Sequence, residues 1–346
     1  MVEVSIGIVT YNSECVIRDC LKSLHSNRSE HYQVIVADNN SSDRTVDLVR
    51  ETDPDAIVVV NEENVGFGRA HNELISMSEA EFYLALNDDA VLTSGYVEIL
   101  TSFLNRNQAV GSAMGKVLYP RESGSRTSRV YSIGHFLRPN LVAVNRGDGL
   151  DESTLVDKAL KVFGVNAAAA VYRRRMLEDT KYADGEYFDS SYFMYGEDVD
   201  LDWRAWRRGW ESWCVPSAIA YHKSGARENL ANKDTWNQCT SNHLRTLLKN
   251  ADLDMLLRVV PYYGANCCYK AVIHPSDLID ILQRILKNRK AIVDKRARIM
   301  RGTKMRYRDL APFMSDEKII EIIWQEIVGA LPWLRHETDD RLFNRH

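Results

Sequence analysis

Short apolar runs alternate with amphipathic helical segments through the first 90 residues, and this alternation restricts the fold more than any other feature. Val4–Thr10 reads as a strand, after which Ile17, Cys20, Leu21 and Leu24 recur at helical spacing, with Asn12 or Ser13 placed to cap that helix. A strand over 33–37, a helix over 42–50, a strand over 56–60, a helix over 69–76 and a strand over 82–86 continue the pattern. Four β/α units in succession imply an α/β fold with a mostly parallel sheet and flanking helices. Strands of such a sheet are buried on both faces and read as continuous apolar runs, and ligands collect beyond their carboxyl ends. The loops to watch are therefore Thr10-Tyr11-Asn12, the segment 38–43, the segment 61–68, and Asn87-Asp88-Asp89.

The last of these places two adjacent carboxylates directly after a buried strand. Oxygen-rich side chains on a short loop suit a hard divalent ion such as Mg²⁺ or Mn²⁺, which usually bridges to phosphate oxygens instead of being caged by protein alone. The implied substrate carries a diphosphate. The alternative is a solvated turn, because Asn and Asp favour turns for local hydrogen-bonding reasons.

Further along, residues 119–157 are rich in Ser, Gly, Arg and Asn with little periodicity, which reads as a long functional loop or a partly mobile excursion. Order returns over 163–172. The segment 188–198 then leads into a helix with Val199, Trp203, Trp206 and Trp210 on one face and Gly209 as its stop. These tryptophans read as core. A strand over 213–221 ends at His222, and beyond about Asn250 the chain is helical and amphipathic. The expected organisation is an α/β domain over 1–250 and a helical module over 251–346.

The chain has 346 residues, 45% of them hydrophobic and 27% charged, so a sizeable core needs no disulfide or metal staple. Its six cysteines show no zinc-type spacing and read as reduced thiols. The N-terminus enters a strand without the features of a signal peptide, and no apolar run approaches membrane-span length, so a cytoplasmic protein is expected. A net charge of −4 argues against a nucleic-acid binder. Yet residues 281–308 hold eleven Lys or Arg against one acid, Asp294, a local +10 that leaves −14 for the rest. With apolar residues interleaved, this stretch suits peripheral contact with the inner face of the cell membrane, packing within the helical module, or a homo-oligomer interface.

Five loop motifs in order carry a resemblance: Val9-Thr10-Tyr11-Asn12, Asp38-Asn39-Asn40-Ser41-Ser42-Asp43, Asn64 to Asn72, Asn87-Asp88-Asp89, and Tyr195-Gly196-Glu197-Asp198-Val199-Asp200-Leu201. Over about residues 3–250 the chain resembles the family 2 inverting glycosyltransferases of the Rossmann-like GT-A fold, most closely the rhamnosyltransferase-like branch. The resemblance implies a sugar nucleotide donor, dTDP-rhamnose or a UDP-sugar, and a glycan or lipid-linked glycan acceptor, as in polysaccharide biosynthesis. It implies that Asp89 holds the metal with His222 as a further ligand, and that Thr10, Tyr11, Asn12, Asp38, Asn64, Gly66, Phe67, Arg69, Asn87 and Asp88 face the donor.

The chemistry of these residues agrees. Asp38 can accept a hydrogen bond from the N3–H of uracil or thymine, Tyr11 offers a face to the base, and Gly66 lets backbone approach the nucleotide. Asp198, with Glu197 beside it, is the candidate general base for the acceptor hydroxyl; the plainer alternative is that both acids only cap their helix. The resembling family has a glycine before Arg173-Arg174 where this chain has Ala167, which leaves acceptor identity open. Two other functions compete. A sugar nucleotidyltransferase would want a glycine-rich basic loop after the first strand, where this chain has Thr10-Tyr11-Asn12-Ser13. A non-catalytic carbohydrate- or partner-binding protein would not need Asp38, Asp89 and Asp198 together.

Overall fold

The computed structural model describes residues 2–27, 31–121, 128–155, 157–223, 232–319 and 322. In it the early alternation becomes β1 (Val4–Thr10), α1 (Ile17–His25), β2 (Tyr32–Asp38), α2 (Thr45–Thr52), β3 (Ile57–Val60), α3 (Phe67–Ser76) and β4 (Phe82–Asn87). These four strands run parallel in the order β3-β2-β1-β4. Their register aligns the loops: Thr10 lies opposite Asp38, and Val9 opposite Asn87. Ile6, Ile8, Ile35, Val36, Leu84 and Leu86 are buried because helices cover both faces of the sheet.

Antiparallel pairing begins beyond β4. β11 (Ala169–Arg173) runs against β4 and against β6 (Val110–Leu118); β12 (Glu211–His222) then runs parallel to β6 and carries β10 (Leu160–Val162) at the sheet edge. β5 (Ala90–Leu92) folds back on β12, setting Ala90 opposite His222. The result is a mixed, mostly parallel sheet with flanking helices, as the alternation implies.

α6 (Glu197–Arg208) lies between the sheet and the C-terminal helices α7 (Lys233–Asn250), α8 (Leu253–Ile273), α9 (Pro275–Lys287) and α10 (Arg289–Arg301). A second apolar cluster, with Phe163, Trp203, Trp206, Leu247 and Met255, joins them. Beneath it is a buried ionic network. Lys249 of α7 meets Asp189 and Asp200, Arg204 also meets Asp200, and Lys295 of α10 meets Asp189 and Glu186. No helix among the described residues is long and apolar enough to cross a membrane.

Three expectations are corrected and one open reading is refined. α1 has no side-chain cap, because it begins at Ile17 with Val16 in the cap position, beyond both Asn12 and Ser13, whose side chains bond Ser42 and Asp88 instead. α6 stops at Gly209, in the left-handed region at φ +85°, so Trp210 leaves the tryptophan face and donates its indole N–H to Asp179. Residues 119–157 are not a plain loop. Among those described are β7 (Val130–Ser132), β8 (His135–Leu137) and β9 (Ala143–Asn145), and the side chains of Val130, Ile133, Leu137 and Leu141 are buried; strands of three residues are too short to show a period. Finally, the basic stretch is divided. Lys295 and Arg296 turn inward, Arg296 to the carbonyls of Leu248 and Ala251, whereas Lys287, Arg289, Lys290 and Arg298 are exposed. The part of the expected helical module beyond residue 319, except Ile322, lies outside the described residues.

Candidate functional site

The aligned ends of β1 and β2 are tied by side chains. Asp38 is buried, and its carboxylate accepts the Thr10 hydroxyl at 2.9 Å, the Ser41 amide at 2.8 Å and the Ser41 hydroxyl at 2.5 Å. Asp38 thus closes an Asx turn with Ser41, while a carboxylate with about four acceptor positions retains one. Asn12, in the left-handed region at φ 52°, accepts the Ser42 amide at 2.9 Å and donates its own amide to Ser41 Oγ at 2.8 Å. Tyr11 projects from this clasp, 52% exposed.

The 61–68 loop is a support. Asn64 Oδ1 accepts the Gly66 amide at 3.0 Å, and Asn39 donates to Gly66 O at 3.5 Å. A Cβ on Gly66 would lie 2.3 Å from the Phe193 carbonyl, and φ is +82°, so glycine is required on two counts. The Phe67 amide bonds that same carbonyl at 2.8 Å. The half-buried Phe67 ring packs 4.2 Å from His71 and 6.1 Å from Phe188. Arg69 is exposed on α3. Phe193 and Tyr195 both have positive φ, and this tight segment is what delivers Glu197 and Asp198.

Asn87, Asp88 and Asp89 separate in role. The Asp88 carboxylate is held by Ser13, and burial pushes its pKa up to about 6, with the Asp89 charge adding to the shift and the Ser13 hydrogen bond opposing it. Asp89 turns the other way, its Oδ1 2.9 Å from His222 Nε2, and Asn87 Nδ2 lies 3.1 Å from the same nitrogen. A separation near 3 Å is what two adjacent ligands have at about 2.1 Å from an octahedral ion, so this oxygen and nitrogen fit a divalent cation. Among the described residues no group of three or more His, Cys, Asp or Glu side chains is arranged to hold a metal. A depression of about 570 Å³ opens at Asp89, with Arg121 and Lys223 on its wall.

Glu197 and Asp198 begin α6, but the helix is capped by Gly196 with no side-chain bond, so neither acid acts as its N-cap. Asp198 Oδ1 accepts the Val199 amide at 2.7 Å and Oδ2 the Ala167 amide at 3.3 Å. Ala168 in turn accepts the Asn87 amide at 2.9 Å. Two residues of chain thus bridge from Asp198 to the strand end that carries Asp89. Glu197 is buried with Oε2 unpartnered among the described residues, and burial together with the Asp198 charge raises its pKa to about 8.

Two residues that sequence reasoning missed come from the 119–157 excursion. Tyr131 packs edge-on against the His222 ring, 4.7 Å between centroids, and His135 reaches Asp198. Neither has a periodic or motif signal; only the folding back of β7 and β8 brings them in.

EpsH of Bacillus subtilis, a protein with a provisional glycosyltransferase name, is 29% identical over 97 residues, 28% of each chain. The N-acetylglucosaminyl-diphospho-decaprenol L-rhamnosyltransferase of Mycobacterium tuberculosis is 24% identical over 263 residues, 70% of this chain and 82% of that protein. The fold is shared with GalNAc-T7, solved with UDP, GalNAc and Mn²⁺, at a TM-score of 0.57 and 11% identity, over 77% of this chain and 50% of that one. Residues 5–180, just over half of the sequence, match the family description "Glycosyl transferase family 2", and the chain belongs to that family of glycosyltransferases.

Proposed function

We propose that this glycosyltransferase moves a sugar, with inversion, from a pyrimidine nucleotide-sugar, dTDP-rhamnose or a UDP-sugar, to a hydroxyl of a glycan or lipid-linked glycan. The observation that supports the reading is the short bridge from Asp198 through Ala167 and Ala168 to Asn87, which links this carboxylate to the strand end that leads into Asp89. The rhamnosyl activity in the name of the mycobacterial relative and the UDP and Mn²⁺ in the GalNAc-T7 structure support donor and cation.

Asp38 and the Thr10–Asn12 clasp hold the pyrimidine and ribose, with Tyr11 against the base. Asp89 and His222 hold Mg²⁺ or Mn²⁺, which when bound neutralises the charge that develops on the departing nucleoside diphosphate. Arg121 and Lys223 add positive potential beside them. Asp198 takes the proton from the acceptor hydroxyl as that oxygen attacks the anomeric carbon opposite the leaving group, which inverts the configuration. Burial and the neighbouring Asp198 charge make Glu197 hold its proton more tightly than an ordinary carboxyl. Residues 1–250 would form the catalytic domain and 251–346 a helical module whose exposed Leu282, Leu286 and Val293, beside Lys287, Arg289 and Lys290, would rest on the inner face of the membrane where the acceptor is presented.

The test is calorimetric donor binding with and without divalent cation, followed by turnover. Asp89→Ala loses cation-dependent donor binding and His222→Ala loses less. Asp198→Asn binds donor normally and turns over about 10²–10⁴-fold more slowly. Full activity in excess chelator, or an Asp198→Asn enzyme with near wild-type kcat when chemistry limits the rate, would overturn the reading.

A further inference from the structure

His135 is buried on β8, and its backbone is fixed on both sides: its amide donates to Gly164 O at 2.8 Å and its carbonyl accepts the Phe163 amide at 3.0 Å. The imidazole therefore has a set position. Nδ1 lies 2.8 Å from Asp202 Oδ2, and Nε2 faces Asp198 Oδ2 at 4.0 Å. Asp202 follows Asp198 by one helical turn of α6, so both carboxylates sit on the same face and the ring lies between them.

The Asp202 end is itself held. Asp202 Oδ1 accepts the Val165 amide at 3.1 Å, and a Cβ on Gly164 would lie 1.8 Å from Asp202 Oδ2, so the carboxylate fills the space that only glycine leaves. A carboxylate on Nδ1 fixes the ring so that Nε2 is the atom presented to Asp198.

We propose, resting on the assignment of Asp198 as base, that His135 is a positioning residue: held by Asp202, its imidazolium faces the Asp198 carboxylate and keeps it ionised and aimed at the acceptor hydroxyl.

The ionisable groups around the ring, among the described residues, are Asp198 and Asp202 from α6 and, from β11, the Tyr172 phenol, which senses both carboxylates and Glu197. Asn145, opposite His135 on β9, does not ionise. Burial alone would strip the imidazole of its proton, but the bond to Asp202 and the nearby carboxylates outweigh it and raise its pKa; burial pushes the Asp202 carboxyl up as well, against the pull of the same His135 bond, so ring and carboxyl titrate as one unit. An opposite charge about 4 Å from a carboxylate stabilises the ionised form on the scale of 1–3 pH units.

The test is the pH dependence of kcat/KM for wild type, His135→Gln and Asp202→Asn, with donor affinity and unfolding midpoint measured alongside. Loss of the cation moves the acid limb of the profile upward by about one pH unit or more in both variants, so activity falls about tenfold on that limb and recovers toward the plateau. A purely structural His–Asp tie would instead lower the whole profile by one factor and leave the limb in place. The double variant moves the limb no further than either single change. If His135→Gln fails to fold, Asp202→Asn decides. An unmoved limb, whatever the plateau, overturns the proposal. If Asp198→Asn keeps its turnover, the assignment of the base fails first, and the two failures are thereby told apart.

Discussion

Replacing Lys249 with methionine keeps a long apolar stem in place but removes the ammonium from the centre of the buried network. That ammonium bonds Asp189 Oδ2 at 2.5 Å and Asp200 Oδ1 at 2.8 Å, with all three side chains essentially inaccessible to water. A charge-assisted hydrogen bond contributes about 1.5–3 kcal/mol, so two give roughly 3–6 kcal/mol. The low end applies, because Asp189 keeps Lys295 and Asp200 keeps Arg204, and neither carboxylate is left without a cation. At about 2.1 cal/mol/K of unfolding entropy per residue, about 3 kcal/mol lowers the midpoint of this chain by about 4 °C, readable by calorimetry or circular dichroism. The pH dependence has a definite sign. Lys249, first among the lowering influences, and Lys295 depress the Asp189 carboxyl well below the usual carboxylate range. A depressed folded-state pKa contributes stability above the unfolded value, near 4, and loses it as pH falls further. The gap between wild type and variant should therefore stay constant from pH 8 to about 5 and narrow only below about 4. A midpoint within 1 °C of wild type at pH 7, or a gap that changes between pH 6 and 8, would refute this account of the network.

Three further outcomes are expected. Gly66→Ala forces a side chain to φ +82°, ψ 173°, a backbone region essentially reserved for glycine, at about 1–3 kcal/mol, and against the Phe193 carbonyl; both the unfolding midpoint and kcat should fall, and unchanged kcat would detach the 193–195 segment from the placement of Asp198. Glu197→Gln should gain stability relative to wild type as pH rises from 5 to 9. A carboxyl raised to about 8 from an unfolded value near 4.3 contributes stability below the lower figure and loses it as pH climbs through the higher one, so a pH-independent difference would contradict it. Neutralising Lys287, Arg289, Lys290 and Arg298 should reduce co-sedimentation with anionic vesicles at low salt while leaving the unfolding midpoint within about 1 °C; binding unchanged by neutralisation rejects the membrane contact.

The amino-acid sequence alone determined the β/α alternation and the loops at the strand ends, because both follow from local physics: apolar runs set the strands, helical spacing sets the faces, and a parallel sheet gathers its strand ends on one side. Thr10, Asp38 and Asn87 needed no more than that to be placed together. Tertiary structure decided everything that depends on a distant partner. Glu197 and Asp198 read equally as helix caps until Gly196 took that position, and the basic residues 281–308 read as one charged face until Lys295 and Arg296 were drawn inward to Asp189, Glu186 and the end of α7. His135 and Asp202 are 67 residues apart, and Lys249 and Asp189 are 60. A buried charge is tolerated only where its partner arrives, and no period along the chain records which residue that will be.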